Sequence, residues 1–162
     1  MSTIEDGISK ALSYLNIQRE GRISLKKEQE TATKELLSGN DVLAVLPTGF
    51  GKSLIYTIFA LAREEIMSTN TCAIIVSPLK SIVDDQIAEM ESSNCKAMEL
   101  SSDNFASIST NPPQFLYCTA EMATDKRFLD ILKDKNSALH AAVSAIVVDE
   151  CHTVDSWTAG RR

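Results

Sequence analysis

The chain has 162 residues, of which 44% are hydrophobic and 23% are charged, and these values are ordinary for a soluble globular protein of one domain. Its formal net charge of −6 argues against a protein that binds nucleic acid by bulk electrostatic attraction, so any such contact would be local or shared with other parts. The 4 cysteines are widely spaced, and no stretch approaches the roughly 20 apolar residues of a membrane span. We therefore expect reduced thiols in an intracellular protein, without a disulfide framework, secretory signal or membrane anchor.

Two helices are predicted ahead of residue 40. Apolar residues recur at helical spacing near the N-terminus, at Ile4, Ile8, Leu12 and Leu15. A second helical segment covers Lys27 to Leu37, and Gly39 is placed to end it. We expect the first helix to serve packing, as an N-terminal extension over residues 1–24 that precedes a single lobe over residues 25–162.

The strongest chemical signal is the stretch at positions 46–53, which reads Leu-Pro-Thr-Gly-Phe-Gly-Lys-Ser. The apolar run 42–46 predicts a strand before it, and the apolar run 54–62 predicts a helix after it that extends to about Met67. A strand, a glycine-containing turn and a helix N-terminus form an anion site, because glycine allows positive φ angles and successive N–H groups can then point inward. The residues of this phosphate turn that we expect to bind a nucleoside triphosphate are Thr48, Gly49, Phe50, Gly51, Lys52 and Ser53.

Two side chains of the phosphate turn carry its chemistry. Lys52 supplies a mobile positive charge for the terminal phosphates, and Ser53 supplies a hydroxyl suited to Mg²⁺. The pattern G-x-x-x-x-G-K-[ST] requires glycine at position 46, where this chain has leucine. The simpler alternative is a glycine-rich connection between a strand and a helix that carries an exposed lysine. The predicted strand and helix on either side favour the phosphate site.

Strand and helix patterns alternate through the rest of the chain. Strands are predicted at 73–76, 97–100, 114–118 and 145–148. Such alternation predicts a parallel sheet with right-handed crossovers, whose ligands bind at the carboxyl ends of the strands. The predicted fold class is therefore α/β, a P-loop NTPase domain whose mostly parallel sheet has helices on both faces.

Two further helices are predicted between these strands. One begins at Ser77-Pro78, and its inward positions are Leu79, Ile82, Val83, Ile87 and Met90. The other covers residues 125–133. Residues 101–113 are rich in Ser and Asn, which predicts a loop with at most one helical turn.

An acidic pair follows the last predicted strand. Asp149 and Glu150 come directly after the apolar run 145–148, and His152 lies close behind them. Asp149 is the expected partner of Ser53 in holding Mg²⁺, directly or through water. Glu150 can orient and deprotonate a water for attack on the γ-phosphate, which favours hydrolysis. The alternatives are two solvated acids at a turn and a structural histidine.

Several separated motifs together resemble the RecQ family of superfamily 2 DNA helicases. Asp149-Glu150-Cys151-His152 resembles its DEAH-type Walker B box, and a phosphate turn without the first glycine is typical of that family. Residues 77–86, Ser-Pro-Leu-Lys-Ser-Ile-Val-Asp-Asp-Gln, are similar to its S-P-L-x-S-L-x-x-D-Q segment. Residues 116–121, Leu-Tyr-Cys-Thr-Ala-Glu, are similar to its L-Y-x-T-P-E segment. The resemblance runs from about residue 24 and implies the first RecA-like lobe of such a helicase.

The resemblance also implies the roles of individual residues. The catalytic set of the family corresponds to Lys52, Asp149, Glu150 and His152. The residues expected to bind nucleic acid are Ser77, Pro78, Leu79, Lys80, Asp85, Gln86, Thr119 and Trp157. Trp157 lies where the family has an aromatic loop, and a partly buried anchor is the alternative reading of it.

Upstream of the phosphate turn, the family has an aromatic residue, an arginine and a glutamine that reads adenine. The corresponding residues here are Leu25, Lys26 and Gln29. Gln29 can hydrogen-bond the adenine edge through its amide, but Leu25 cannot stack as an aromatic ring would, and Lys26 lacks the planar fork of arginine. Lys26 and Gln29 are therefore expected at the nucleotide, with the selectivity for adenine left open.

The leading hypothesis is that the chain is the ATP-binding first lobe of a RecQ-like, ATP-dependent 3′ to 5′ DNA helicase. It would use ATP and Mg²⁺ and contact single-stranded or junction-containing DNA, and its location would be nuclear if the organism is eukaryotic. We expect hydrolysis and unwinding to need a second RecA-like lobe, which these residues do not contain. Two alternatives stay open. One is a truncated, non-catalytic fragment that binds ATP or nucleic acid, and the other is a small-molecule kinase of the P-loop class, which Glu150 and residues 77–86 disfavour.

Overall fold

The computed structural model of the protein describes residues 2–153. Its contacts separate the chain into two compact units, Met1–Asn70 and Thr71–Arg162. Within the described residues, the regular secondary structure of the first unit is entirely helical, and all of the strands belong to the second unit. No helix within residues 2–153 is both long enough and apolar enough to cross a membrane.

The first unit is built from the helices α1 Ile4–Gln18, α2 Lys27–Leu37 and α3 Lys52–Met67. All of them were predicted from the apolar periodicity, and α2 has the predicted bounds. Helix α1 begins with a capping box, because the Thr3 hydroxyl accepts from the Asp6 amide and the Asp6 carboxylate accepts from the Thr3 amide, each at 3.1 Å. The hydrogen bond from the Thr3 backbone lowers the pKa of the Asp6 carboxyl.

Apolar side chains of α1 and α3 form the core of the first unit. Its buried members are Ile8, Ala11, Leu15, Ile58 and Ala62. Helices α1 and α3 come close at Gly7, where a Cβ atom would lie 2.8 Å from the Ile66 side chain. Burial of this apolar surface stabilises helices that would be marginal in isolation.

The strand predicted over residues 42–46 is absent, and this prediction is wrong. The segment has no regular secondary structure, and Leu43 and Val45 are 77% and 86% exposed. A strand needs a second strand with which its backbone groups can pair, and residues 2–70 contain none. An apolar run is therefore not enough to make a strand at this position.

The second unit contains a four-stranded sheet with the strand order β2-β3-β1-β4. Its strands are β1 Cys72–Val76, β2 Ala97–Glu99, β3 Phe115–Cys118 and β4 Val143–Val148. All neighbouring pairs are parallel, and the register aligns Ile74 of β1 with Leu116 of β3 and Ile146 of β4. The structure confirms the predicted parallel sheet and the strands predicted after residue 70.

The connections in the second unit carry short helices. In the described residues these are α4 Lys80–Ser92, α5 Phe105–Thr110, α6 Ala120–Ala123, α7 Lys126–Lys133 and α8 Ala138–Ala142. The predicted helices correspond to α4 and α7, whereas α6 and α8 were not predicted. Helix α8 is capped by the Ser137 hydroxyl, which accepts from the Leu139 amide at 3.2 Å, and the Leu139 side chain is fully buried.

Two other details of the sequence-based prediction are wrong in this unit. Residues 101–113 contain a 3₁₀ turn at Ser102–Asn104 and then α5, which is more than one helical turn. Phe105 and Ile108 are buried in the core, and this burial outweighs the local preference of a Ser- and Asn-rich sequence for loop. Leu79, predicted to point inward, is 55% exposed because it is the N-cap residue of α4 and precedes its inward face.

Strand β1 is buried on both faces of the sheet, as its continuous apolar run predicts. One face carries Cys72, Ile74 and Val76, and residues of α5, α7 and α8 cover it, namely Phe105, Ile108, Phe128, Leu139 and Ala142. All 4 cysteines of the chain are free thiols. Burial raises the pKa of the Cys72 and Cys118 thiols to about 12, so both are neutral near pH 7.

We expect Phe128→Ala to lower the free energy of unfolding by about 3 to 5 kcal/mol, the range for truncating a buried phenylalanine. Phe128 is 1% exposed, and its ring lies 6.3 Å from that of Phe105 between centroids. Urea unfolding followed by circular dichroism measures the change. The matched control is Asp130→Ala at an exposed position of α7, which should change the value by less than about 0.5 kcal/mol. Equally small changes in both variants would contradict this core.

Candidate nucleotide and nucleic-acid site

The phosphate turn leads directly into α3, which begins at Lys52. Gly49 and Gly51 adopt left-handed φ angles of 78° and 90°, as the sequence predicts for an anion-binding turn. The Phe50 amide donates to the Pro47 carbonyl at 3.1 Å and closes the turn. The first N–H groups of α3 have no partner within the helix, and they lie at the positive end of the helix dipole. The turn therefore has the backbone features of an anion site, although the strand predicted before it is missing.

Gln29 braces the phosphate turn from the start of α2. Its side chain is 2% exposed, and its Nε2 donates to the carbonyls of Phe50 at 3.0 Å and Gly51 at 2.9 Å. Its Oε1 accepts from the Lys26 amide at 2.8 Å, next to the first turn of α2. The approach is so close that a Cβ atom on Gly51 would lie 2.7 Å from Nε2. One buried amide therefore joins α2 to the turn.

Lys26 contacts the same turn from the outside. Its ammonium lies 4.1 Å from the centroid of the Phe50 ring and donates to the Phe50 carbonyl at 3.3 Å. The neighbouring Leu25 packs against the apolar core of the first unit. The structure thus brings together Lys26, Gln29, Phe50 and Gly51, all of which the sequence assigns to nucleotide binding.

The polar side chains of the turn are accessible. Lys52 and Ser53 are partly exposed in the first turn of α3, and Thr48 is exposed before them. The Thr57 hydroxyl donates to the Ser53 carbonyl at 2.8 Å, one turn further along the helix. Lys52 takes part in none of the ion pairs found within residues 2–153. Its ammonium can therefore meet a phosphate without first giving up a carboxylate.

In the second unit, three predicted site residues follow adjacent strands of the sheet. Ser77 follows β1, Thr119 follows β3 and Asp149 follows β4. The Ser77 amide donates to the Cys118 carbonyl and the Asp149 amide to the Val76 carbonyl, each at 2.9 Å. Ser77, Thr119 and Asp149, which we term the carboxyl rim, therefore lie along one edge of the sheet, as parallel strands require.

The acidic pair forms a tight turn with His152. Glu150 has a left-handed φ of 53°, and its amide donates to Asp149 Oδ1 at 3.0 Å. Such a conformation costs a residue other than glycine about 1 to 2 kcal/mol. The carboxylate Oε2 of Glu150 lies 3.3 Å from His152 Nδ1. The structure thus brings the three predicted catalytic residues of this unit together.

The residues predicted to contact nucleic acid differ in exposure. Leu79, Lys80 and Asp85 are exposed, whereas Ser77 is fully buried. The Ser77 hydroxyl and Gln86 Oε1 are buried, and neither has a hydrogen-bond partner within the described residues.

Pro78 and Thr119 are partly exposed, and the Thr119 hydroxyl accepts from the Met122 amide at 3.3 Å to cap α6. Trp157 lies outside the described residues.

Lys80 is held by two carboxylates. Its ammonium lies 2.7 Å from Glu99 and 3.1 Å from Asp84, and these hydrogen bonds, the one to Glu99 above all, raise the pKa of Lys80. Neither partner was identified from the sequence. Asp84 follows Lys80 at the i,i+4 spacing of a helix, which is a readable signal, whereas Glu99 lies 19 residues away on β2 without any local signal.

The predicted magnesium ligands are Ser53 and Asp149. Both offer the oxygen atoms that Mg²⁺ prefers. Residues 2–153 contain no group of three or more His, Cys, Asp or Glu side chains that could hold a metal ion by itself. Ser53 and Asp149 belong to different units, and their joint binding of one ion stays a prediction.

Comparison with known families identifies the class of protein. The DEAD/DEAH box helicase model matches residues 26–162, which include the phosphate turn, the carboxyl rim and the acidic pair. The chain therefore belongs to the DEAD/DEAH box helicase family. Its α/β fold, with a parallel sheet, agrees with the RecA-like domain expected of that family.

Individual relatives narrow the class. The chain is 31% identical over 144 residues to the probable ATP-dependent DNA helicase RecS of Bacillus subtilis (strain 168), an alignment that covers 85% of the chain and 27% of RecS. It is 32% identical over 140 residues to the ATP-dependent DNA helicase Q5 of Mus musculus, with coverage of 80% and 13%. It is 29% identical over 145 residues to the ATP-dependent DNA helicase RecQ of Pasteurella multocida (strain Pm70), with coverage of 85% and 21%. Within its family the chain is a RecQ-like first lobe, and it spans 27% or less of the length of these relatives.

We expect Gly51→Ala to destabilise the chain more than Gly49→Ala does. Alanine at either left-handed position costs about 1 to 2 kcal/mol. A Cβ atom on Gly51 would in addition lie 2.7 Å from Gln29 Nε2, whereas a Cβ atom on Gly49 would have nothing within 4 Å. Thermal unfolding of both variants separates the two effects, because Gly49→Ala measures the backbone strain alone. Equal falls in Tm would contradict the contact between Gln29 and Gly51.

Proposed function

We propose that this chain is the ATP-binding first lobe of a RecQ-like, ATP-dependent 3′ to 5′ DNA helicase. The observation that carries the proposal is the phosphate turn, in which two left-handed glycines precede α3 and Lys52 and Ser53 occupy its first turn. The family supports the assignment, because the relatives with similar sequences are named ATP-dependent DNA helicases.

In this proposal, residues 48–53 surround the triphosphate of ATP. Backbone N–H groups of the turn and of the α3 N-terminus donate to phosphate oxygens, and the helix dipole favours the negative charge there. Lys52 adds a full positive charge for the terminal phosphates. Lys26 and Gln29 support the turn through the carbonyl groups of Phe50 and Gly51. The combined effect is to neutralise the triphosphate and fix its position.

The Ser53 hydroxyl and the Asp149 carboxylate would hold Mg²⁺, which when bound neutralises charge on the phosphates. Asp149 is oriented by two backbone contacts, since its own amide donates to the Val76 carbonyl and its Oδ1 accepts from the Glu150 amide. Neither contact supplies a full positive charge, so the carboxylate keeps its attraction for a cation.

Glu150 would orient and deprotonate the water that attacks the γ-phosphate. His152 would steady this carboxylate, because its Nδ1 lies 3.3 Å from Glu150 Oε2. The proposed catalytic set is therefore Lys52, Asp149, Glu150 and His152. We assign hydrolysis and unwinding to this lobe together with a second RecA-like lobe. The second lobe would supply an arginine finger, which accelerates phosphoryl transfer by about 10³ to 10⁵.

DNA would bind along the carboxyl rim and the start of α4. The residues proposed for this contact are Ser77, Pro78, Leu79, Lys80, Asp85, Gln86, Thr119 and Trp157. The net charge of −6 means that attraction must be local, and the Lys80 ammonium would exchange its carboxylate partners for a phosphate. We propose single-stranded or junction-containing DNA as the partner.

We expect Lys52→Ala to weaken the binding of Mg-ATP by about 10- to 100-fold, because a hydrogen bond to a charged group contributes about 1.5 to 3 kcal/mol. Isothermal titration calorimetry on the chain measures the affinity. Lys135→Ala, at an exposed lysine of the second unit, keeps the net charge of the two variants equal and should leave the affinity unchanged. If Lys52→Ala binds Mg-ATP as tightly as the parent chain, the assignment of the phosphate turn is wrong.

We expect Glu150→Gln to retain the affinity for Mg-ATP within about threefold while abolishing its hydrolysis when the chain is joined to a second RecA-like lobe. The amide keeps the size and hydrogen-bonding capacity of the side chain but cannot accept the proton of the attacking water. Single-turnover hydrolysis of radiolabelled ATP gives the rate, and Glu121→Gln at an exposed position serves as the control. Normal hydrolysis by Glu150→Gln would remove this residue from the role of base.

A further inference from the structure

The amide of Gln29 has almost no capacity left with which to read a base. A glutamine side chain has two N–H donors and one oxygen acceptor with two lone pairs. Both donors are used by the carbonyls of Phe50 and Gly51, at 3.0 and 2.9 Å, and the oxygen accepts from the Lys26 amide at 2.8 Å. The remaining lone pair belongs to a side chain that is only 2% exposed. Reading adenine would require the amide to leave the phosphate turn.

The orientation of this amide follows from its neighbours. A flipped amide would point its oxygen at the two carbonyl oxygens of the turn and its NH₂ group at the Lys26 amide. Both contacts would be repulsive, so the assigned orientation is the stable one. The main chain of Gln29 is fixed as well, because the buried Thr33 hydroxyl donates to its carbonyl at 2.8 Å. The side chain is therefore built into the turn.

The two residues before α2 are also engaged away from a base. Leu25 packs with the apolar core of the first unit, and the Lys26 ammonium contacts the ring and carbonyl of Phe50. At the start of α2 a nucleobase would thus meet neither an aromatic ring at position 25 nor an uncommitted amide at Gln29. Adenine offers its N7 acceptor beside its N6 donor, and recognition of that edge needs one donor and one acceptor together.

We propose that Gln29 is a positioning residue of the phosphate turn and that the site selects the triphosphate with little discrimination between purine bases. This inference rests on the proposed function, since it concerns the same nucleotide site. Gln29 holds the carbonyls of Phe50 and Gly51 and thereby fixes the residues immediately before Lys52. Affinity then depends on the shape of the turn, which contacts phosphate, and the base contributes little.

The first test compares the affinities of the parent chain for Mg-ATP and Mg-GTP by isothermal titration calorimetry. GTP carries the O6 acceptor where ATP carries the N6 donor, so a glutamine that reads adenine would favour ATP by about 5- to 150-fold. We expect the two affinities to differ by less than about threefold. A preference for ATP of fivefold or more would overturn the inference and leave the proposed function intact.

The second test measures Gln29→Ala against Mg-ATP, Mg-GTP and magnesium tripolyphosphate, which has no base. A positioning role predicts that all three affinities fall by the same factor, because the turn has lost its brace. A base-reading role predicts that the affinity for ATP alone falls, and that result would overturn the inference. The matched control is Gln114→Ala, since Gln114 accepts from the Lys96 amide at 2.9 Å in the second unit and should not affect any of the three ligands.

Two further measurements keep these tests decisive. Circular dichroism establishes that Gln29→Ala is folded, and Gln29→Met, which retains the side-chain volume, replaces it if it is not. If the parent chain binds none of the three ligands, or if Lys52→Ala binds them as tightly as the parent, the proposed function falls and the inference falls with it. Binding that depends on Lys52 but favours ATP over GTP rejects the inference alone.

Discussion

Parallel pairing of β1 with both β3 and β4 is the constraint on which the second unit depends. Because the three strands run in one direction, the residues that follow them come out at one edge of the sheet. Backbone hydrogen bonds from the amides of Ser77 and Asp149 to the neighbouring strands continue the ladder into this carboxyl rim. The strand that anchors the ladder is fully buried, so the polar side chains of this segment begin beyond its end. The sheet thus sets both the stability of the unit and the location of its polar groups.

In the first unit a single buried amide has a comparable effect. Gln29 satisfies two carbonyl groups of the phosphate turn and one amide at the start of α2, at a position where unpaired polar groups would be costly. The left-handed Gly51 is required both for the path of the turn and for the space that Gln29 occupies. Folding of the first unit and formation of its phosphate turn therefore share the same contacts, so a change at either residue affects both.

Charge constrains the proposed contact with DNA. The net charge is −6, and the exposed Lys80 near the carboxyl rim is already paired with Asp84 and Glu99. Exposed ion pairs of this kind are weak and screened by salt, so a phosphate can compete with the carboxylates for the ammonium. Contact with DNA would then depend on geometry and on exchange of partners, with little help from long-range attraction.

The sequence by itself determined the features that depend on near neighbours in the chain. Apolar periodicity and capping predicted the helices α1 to α3, and the glycine spacing predicted the left-handed positions of the phosphate turn. Strands of mainly apolar residues were predicted for β1, β3 and β4, and the short strand β2 was predicted although it contains Glu99. Tertiary structure alone decided the other features. Segment 42–46 is not a strand, and α5 and α8 form because their apolar residues are buried. The Gln29 side chain donates to backbone carbonyls that lie 21 and 22 residues further along the chain. The physical reason is that strand pairing, burial and the satisfaction of a buried amide all depend on groups distant in sequence, which local patterns do not specify.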